Sequence, residues 1–347
     1  MVKKISIRIV GLIAIVITLN FVYNLTLFRP QLFEMCEQVV QMKDRQKGTD
    51  IFYFAESSNF NILLTDKYRQ TISEMTNFFF PKLTITSVDK PAAHAGVFKQ
   101  WLNHLDLTKH KPKAIVMTMN LRSFDAGWIN SNLESAMQES IALLRPYPNL
   151  LNRFLLSLNA FDDKTTKQRE KIMLDDWKYT QLQFPYPVKY KTVREWDDAI
   201  AAGQCLAPGA VWEEKNIQLS CHYVKGYAFN LNENNPRIKD FDFIADWCHK
   251  NNINLYMNLL AENMHFADSL VGKELVFLMR NNRDYLVKRY TKNNCVVVDN
   301  LEAVNWKDFS ELEWTTEHYN YKGRMIIAKN LAEKLKIQFN NYYKKAY

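Results

Sequence analysis

The stretch Ile51-Phe52-Tyr53-Phe54-Ala55-Glu56-Ser57-Ser58-Asn59 decides the fold. Four large apolar residues and an alanine, too short for a core helix, predict a buried strand, and the polar cluster after it predicts a turn into a helix. A serine placed there is exposed at the carboxyl end of a strand, where ligands collect in parallel α/β sheets.

The same pattern recurs downstream. Lys113 to Met119 predicts a strand ending at Asn120, Leu83 to Val88 and Ile253 to Leu260 predict two more, and Cys295 to Val298 another. Between them lie predicted helices over Lys67 to Phe79, Ala95 to Leu105, Leu133 to Leu144, Ile238 to Lys250, Leu270 to Tyr290 and Tyr321 to Phe339. Strands alternating with helices imply a parallel sheet covered on both faces, a three-layer α/β fold. Pro146 to Ala228 breaks the alternation with aromatic and charged residues and helical runs over Leu150 to Leu158 and Thr166 to Leu182. It reads as a largely helical insertion that caps the sheet edge. Its Trp177, Tyr179, Phe184, Tyr186, Tyr190 and Trp196 suit either stacking on sugar rings or packing onto the sheet.

The chain has 347 residues and no sign of disorder, a repeat or a disulfide-dense framework. Ile9 to Phe28 supplies about twenty mostly apolar residues, enough to cross roughly 30 Å of hydrocarbon as a helix. Lys3, Lys4 and Arg8 precede it and favour a cytoplasmic N-terminus, with everything after Arg29 outside the cytoplasm. No small-x-small cleavage site follows, which favours an uncleaved anchor over a signal peptide. The expected organisation is an anchor over 1–28, a juxtamembrane spacer over 29–50, and one domain over 51–340 with its insertion at about 146–228.

A formal charge of +8, dispersed rather than collected in one tract, favours anionic envelope polymers or headgroups over nucleic acid, or reads simply as a soluble, weakly basic surface. Among the five cysteines, Cys205 and Cys221 flank Pro208-Gly209 and are spaced to close a short loop, whereas Cys248 and Cys295 fall in apolar elements. No CxxC, HExxH or dense His/Asp/Cys cluster points to a metal, and no cofactor is expected.

Ser57, Asn120 and His318 are the residue types an acyl-transfer site needs: nucleophile, oxyanion donor and general base. His318 opens the last helix, within Glu317-His318-Tyr319-Asn320. Gly96, in Pro91-Ala92-Ala93-His94-Ala95-Gly96, would let a backbone N–H approach a substrate with no Cβ in the way.

In this order the segments resemble the four blocks of the SGNH/GDSL hydrolase superfamily, which contribute serine, glycine, asparagine and histidine. Ala55-Glu56-Ser57 resembles the Gly-Asp-Ser block, Gly96 the second block, Asn120 the third, and His318-x-Asn320-x-x-Gly323 the end of the fourth. The resemblance spans about residues 51 to 340 and implies a flavodoxin-like sheet, Ser57 and His318 as catalytic residues, and Gly96, Asn120 and the Ser57 backbone as oxyanion donors. Ala55 and Glu56 stand where family members usually carry glycine and aspartate. Thr315 stands where they carry the acid three residues before the histidine, and Thr316 occupies the position two before.

The candidates for an orienting acid are therefore Glu317 and Glu313, with Asp308 or Asp299 reaching His318 only through the fold. Ser58, Asn59, Arg122, Glu262 and Asn263 are expected to line the site. The anchored layout also resembles exported members that move acyl groups on envelope polymers, including the teichoic-acid D-alanine transfer protein. That resemblance implies a cell-envelope glycan or acylated polymer as substrate and an integral-membrane acyltransferase as partner. The expected activity is that of an extracytoplasmic serine esterase or O-acyltransferase. The competing expectation is an inactive module of the same fold that binds an envelope polymer or scaffolds a membrane acyltransferase.

Overall fold

A computed structural model describes residues 2–293 and 295–344. Among them, five strands form one parallel sheet, ordered β2-β1-β3-β4-β5: β1 (Ile51–Ala55), β2 (Ile85–Asp89), β3 (Ala114–Met119), β4 (Asn254–Leu259) and β5 (Val296–Asp299). This is the strand order of a flavodoxin-like doubly wound sheet, with its switch point between β1 and β3. Both central strands are buried along their whole length, because helices cover both faces.

α1 (Val2–Thr26) leads into α2 (Phe28–Arg45), and the turn α3 (Ser57–Phe60) follows β1 directly. α4 (Ile72–Phe78) precedes β2, and α5 (Ala95–Asn103) follows it. The excursion between β3 and β4 holds α6 (Ala126–Ile129), α7 (Asn132–Leu143), α8 (Asn149–Ser157), α9 (Thr166–Tyr179), α10 (Val193–Ala201), α11 (Glu214–Tyr227) and α12 (Pro236–Lys250). After β4 come α13 (Met264–Phe266) and α14 (Lys273–Lys292), and α15 (Tyr321–Phe339) closes the chain against α4.

Local chemistry explains several boundaries. The helix expected from Lys67 begins only at Ile72, where Thr71 and Glu74 form a reciprocal capping box that fixes the start. Asn320 caps α15 by accepting from the Lys322 and Gly323 N–H groups at 2.9 and 3.2 Å. Gly323 is required there, since a Cβ would lie 2.8 Å from the Asp308 carbonyl oxygen.

α1 is long and apolar enough to cross a membrane, with none of its apolar window buried in the protein. Residues 29–50, expected as a spacer, are instead largely built into the core. Leu32, Cys36, Val39, Val40 and Met42 of α2 are buried in the same apolar cluster as β1 and α5. Their spacing gives a stripe that finds a partner in β2 and α7, so the segment holds α1 against the domain. The five cysteines are free: Cys205 and Cys221 are not bridged. The Cys221 thiol turns toward the Asp197 carbonyl, at 3.9 Å.

Candidate active site

Three chain segments meet at the carboxyl edge of the sheet. Ser57 starts the turn after β1, Asn120 follows β3, and His318 lies just before α15. The Ser57 Oγ stands 3.0 Å from His318 Nε2, hydrogen-bonding distance, although 261 positions separate them. Both side chains are partly exposed, so a substrate can reach them.

The imidazole is held from its far side by residues that sequence reasoning missed. Glu311 Oε2 lies 3.1 Å from His318 Nδ1, and Asn61 Nδ2 lies 2.6 Å from the same nitrogen. Asn61 also donates to Glu311 Oε1, at 3.3 Å. A carboxylate only accepts and favours hydrogen on Nδ1, with the Nε2 lone pair facing Ser57, whereas Asn61 Nδ2 only donates and favours the opposite tautomer. Burial pushes the Glu311 carboxyl upward, but His318, Thr316 and Asn61 outweigh it and hold it below the usual carboxylate range.

Glu311 reaches His318 through a short antiparallel pairing. Phe309 bridges Tyr319, and the Ser310 N–H donates to the His318 carbonyl at 2.9 Å. The apolar pair Phe309 and Tyr319, both buried, was the signal available in the sequence.

The two expected acids are elsewhere. Glu313 is exposed on the loop beyond Glu311. Glu317 points into the protein and pairs with Arg122 at 2.9 Å, as alternation along an extended segment requires when His318 points to the rim. Asp308 is engaged at 3.1 Å by the Asn320 amide, and Asp299 pairs with Arg283 at 2.9 Å.

The remaining candidates divide between rim and interior. Asn120 Oδ1 accepts from the Ser123 N–H at 3.3 Å, while its Nδ2 makes no hydrogen bond among the described residues. Gly96 does not serve as an oxyanion donor. Its N–H is donated to His94 Nδ1 at 3.1 Å inside the first turn of α5, and its missing Cβ makes room for the His94 ring and the Asp240 carboxylate. The left-handed residue in the loop after β2 is Ala92, at φ +59°.

Ser58 is fully buried and contributes its backbone N–H to Glu56 at 2.9 Å. Asn59, also fully buried, ties the turn to Ser73 and Asp89 at 3.1 and 2.7 Å. Asn263 caps the turn after β4 by accepting from the Phe266 N–H. Ser58, Asn59 and Asn263 thus support the site rather than line it.

Beneath the rim lies an acidic cluster. Glu56, Glu262 and Glu317 are all buried, with one guanidinium, Arg122, to balance them. Tyr227 of α11 donates to Glu262 Oε2 at 2.5 Å and reaches Glu317 Oε1 at 3.5 Å. Burial, then repulsion from Glu317, raises Glu262 far above the usual carboxylate range and raises Glu56 as well. Glu56 Oε2 also lies 3.0 Å from Ser57 Oγ, so the serine hydroxyl sits between Glu56 and His318. A protonated Glu56 competes less for the serine hydrogen than an ionised one.

The raised Glu262 carboxyl has a stability consequence. Its folded form holds a proton that the unfolded chain releases, so its contribution to stability falls as pH rises from the unfolded carboxylate range toward the folded value. Glu262→Gln is expected to flatten the loss of thermal stability as pH rises above the unfolded carboxylate range. Thermal melts of the full chain in detergent above that range measure it, and an unchanged slope would contradict the assignment.

A cavity of about 480 Å³ opens beside the segment that follows Glu311, lined by Leu219, His222, Phe266, Leu312 and Trp314. A larger one, about 750 Å³, lies between the insertion, at Phe184, Tyr190 and Trp196, and the 268–274 segment, and includes none of Ser57, Asn120 or His318. Trp196 is buried and stacks with Tyr190, so it packs the insertion rather than offering a face to a sugar.

No protein-family model and no curated protein matches the sequence. Among solved structures, the chain is similar to a lipase/acylhydrolase from Enterococcus faecalis, at 8% identity and a TM-score of 0.35, covering 86% of this chain and 100% of that one. The parallel sheet and its strand order carry the fold class without it.

Proposed function

We propose that this protein is a membrane-anchored serine esterase or O-acyltransferase of SGNH type, acting outside the cytoplasm on an ester-linked acyl group of a cell-envelope glycan or polymer. The observation that carries the reading is the continuous chain Ser57 Oγ, His318 Nε2, His318 Nδ1, Glu311 Oε2, with links of 3.0 and 3.1 Å. That arrangement is a nucleophile, a general base and an orienting carboxylate in hydrogen-bond sequence.

In this reading Ser57 Oγ attacks the ester carbonyl and its proton passes to His318 Nε2. Asn120 Nδ2 and the Ser57 backbone N–H face the developing oxyanion. Collapse of the tetrahedral intermediate expels the alcohol, which takes the proton from His318, and leaves an acyl-serine. Water or a sugar hydroxyl, deprotonated by His318, then attacks that ester and restores the serine. An acceptor sugar would make the protein a transferase, water a hydrolase. The anchor reading of α1 and the basic residues Lys3, Lys4 and Arg8 near its start support an extracytoplasmic domain. An integral-membrane acyltransferase is the partner proposed for the transferase.

The inactive-module alternative predicts a decayed site. An intact relay beside a partly exposed serine argues against it. Fluorophosphonate labelling tests the two readings. Wild type and Ser58→Ala are expected to label, while Ser57→Ala and His318→Ala are not. Absence of labelling in folded wild-type protein would favour the binding module.

A further inference from the structure

We propose that α8 is a second membrane contact, lying in the outer interface of the bilayer beside α1 and fixing the height and tilt of the domain. The inference rests on reading α1 as the membrane-spanning helix. It goes beyond that reading by assigning a lipid-facing surface to the domain itself.

The first observation is an apolar stripe with no protein partner. Leu151, Phe154 and Leu158 are exposed at 43%, 56% and 59%, with Tyr147 just before the helix at 53%. Their spacing of three and four residues puts them on one side of α8, whereas Asn152 and Leu156, on the opposite side, are buried against the domain. Arg153 and Ser157, both exposed, lie between the two faces. A short helix with one face on its own protein and another apolar face outward is suited to an interfacial position.

The second observation is where this helix sits. Its first residue and first free N–H are bound by side chains of α1: Asn149 Nδ2 donates to Asn24 Oδ1 at 2.9 Å, and the Leu150 N–H donates to Asn20 Oδ1 at 3.0 Å. Pro148, at the N-cap position, supplies no side-chain cap, so Asn20 does that work from the neighbouring helix. If the apolar run to Phe28 crosses the bilayer, Asn24 lies about 6 Å inside its outer end at helical rise, with Asn20 about one turn further in. The start of α8 is therefore held where the outer interface meets the acyl chains. An unpaired N–H is costly there, which accounts for the cap, and exposed leucines and a phenylalanine are favoured there.

Contact along α8 in addition to α1 restrains rotation about the anchor. With α2 built into the core, two helices and their connection set the domain's orientation, and the Ser57 edge is then carried at a constant distance from the membrane.

The full chain, reconstituted in phosphatidylcholine/phosphatidylglycerol vesicles that contain a phospholipid with a photoreactive diazirine in its acyl chain, provides the test. After irradiation and peptide mapping, lipid adducts are expected on α1 and on peptides covering residues 147–158, with those of α15 at background. Adducts on α1 with none on 147–158 would overturn the inference while leaving the anchor intact. Adducts on neither would overturn both. Crosslinks between two copies at α8 in place of lipid adducts would show a protein surface instead. In the variant carrying Leu151→Ser, Phe154→Ser and Leu158→Ser, the 147–158 adducts are expected to fall to the α15 background while those on α1 remain. Phe154→Ser alone, with a smaller loss, guards against misfolding of the triple variant. Undiminished adducts in both variants would refute the role of these side chains.

Discussion

Ser57→Ala is expected to lower ester turnover by about 10⁴- to 10⁶-fold, and His318→Ala by a similar factor. The 3.0 Å contact between Ser57 Oγ and His318 Nε2 makes the two groups one device: a serine without its base is a weak nucleophile, and a base without its serine has nothing to activate. The double variant should therefore be about as slow as either single one, rather than slower by the product of the two losses. The residual rate would come from Asn120 and substrate binding. Steady-state hydrolysis of an activated acetyl ester, followed by an acetylated glycan, measures the effect. A Ser57→Ala protein that keeps turnover within about tenfold of wild type would remove serine catalysis from consideration.

The second large effect is expected at Glu311. Glu311→Gln should reduce kcat by about 10²- to 10⁴-fold with little change in KM. In the proposed mechanism the carboxylate, 3.1 Å from Nδ1, would stabilise the imidazolium formed when Ser57 attacks. An amide in its place removes the charge and can present a donor to a nitrogen already faced by the Asn61 amide at 2.6 Å. The wrong tautomer, with hydrogen on Nε2, would then face the serine.

The sign of the pH dependence follows from the depressed Glu311 carboxyl. Its support is present above the unfolded carboxylate value and is lost as pH falls through the folded one, so Glu311 stays ionised to lower pH than a free carboxylate. Glu313→Gln, on the exposed loop, is expected to leave kcat unchanged. A Glu311→Gln enzyme with wild-type kcat, or a large loss on Glu313→Gln, would refute the assignment.

Ser57 and Asn120 were legible because each follows an apolar strand run, and loops at those positions in a parallel sheet share one edge. His318 was legible because Asn320 caps the helix it precedes. Glu311 was not, because nothing in the sequence sets it apart from Glu317, Glu313, Asp308 or Asp299 as a partner for the histidine. The antiparallel pairing of Phe309 with Tyr319 makes residues seven apart into neighbours. Glu317, next to the histidine in sequence, is directed to the opposite side by the backbone's alternation and is used by Arg122.

Gly96 illustrates the same limit. Glycine permits a close approach by any neighbour, and only the packing shows that the neighbours are His94 and Asp240. Residues 29–50 read as a spacer because nothing in the segment reveals that its stripe meets β2 and α7.

What the amino-acid sequence determined by itself is the set of elements that depend on near neighbours. These are the apolar runs that become strands, the 3.6-residue periods that become helices, the caps that start them, and an N-terminal helix long enough for a bilayer. What only the tertiary structure decided is every property that depends on which distant groups share a volume. Glu311 rather than Glu317 meets the imidazole, Glu262 and Glu56 are pushed above the usual carboxylate range because three carboxylates are buried around one arginine, and Asn20 rather than a local side chain caps α8. The physical reason is that hydrogen bonds and charges act over a few ångströms, and the chain brings residues hundreds of positions apart within that distance only after it has folded.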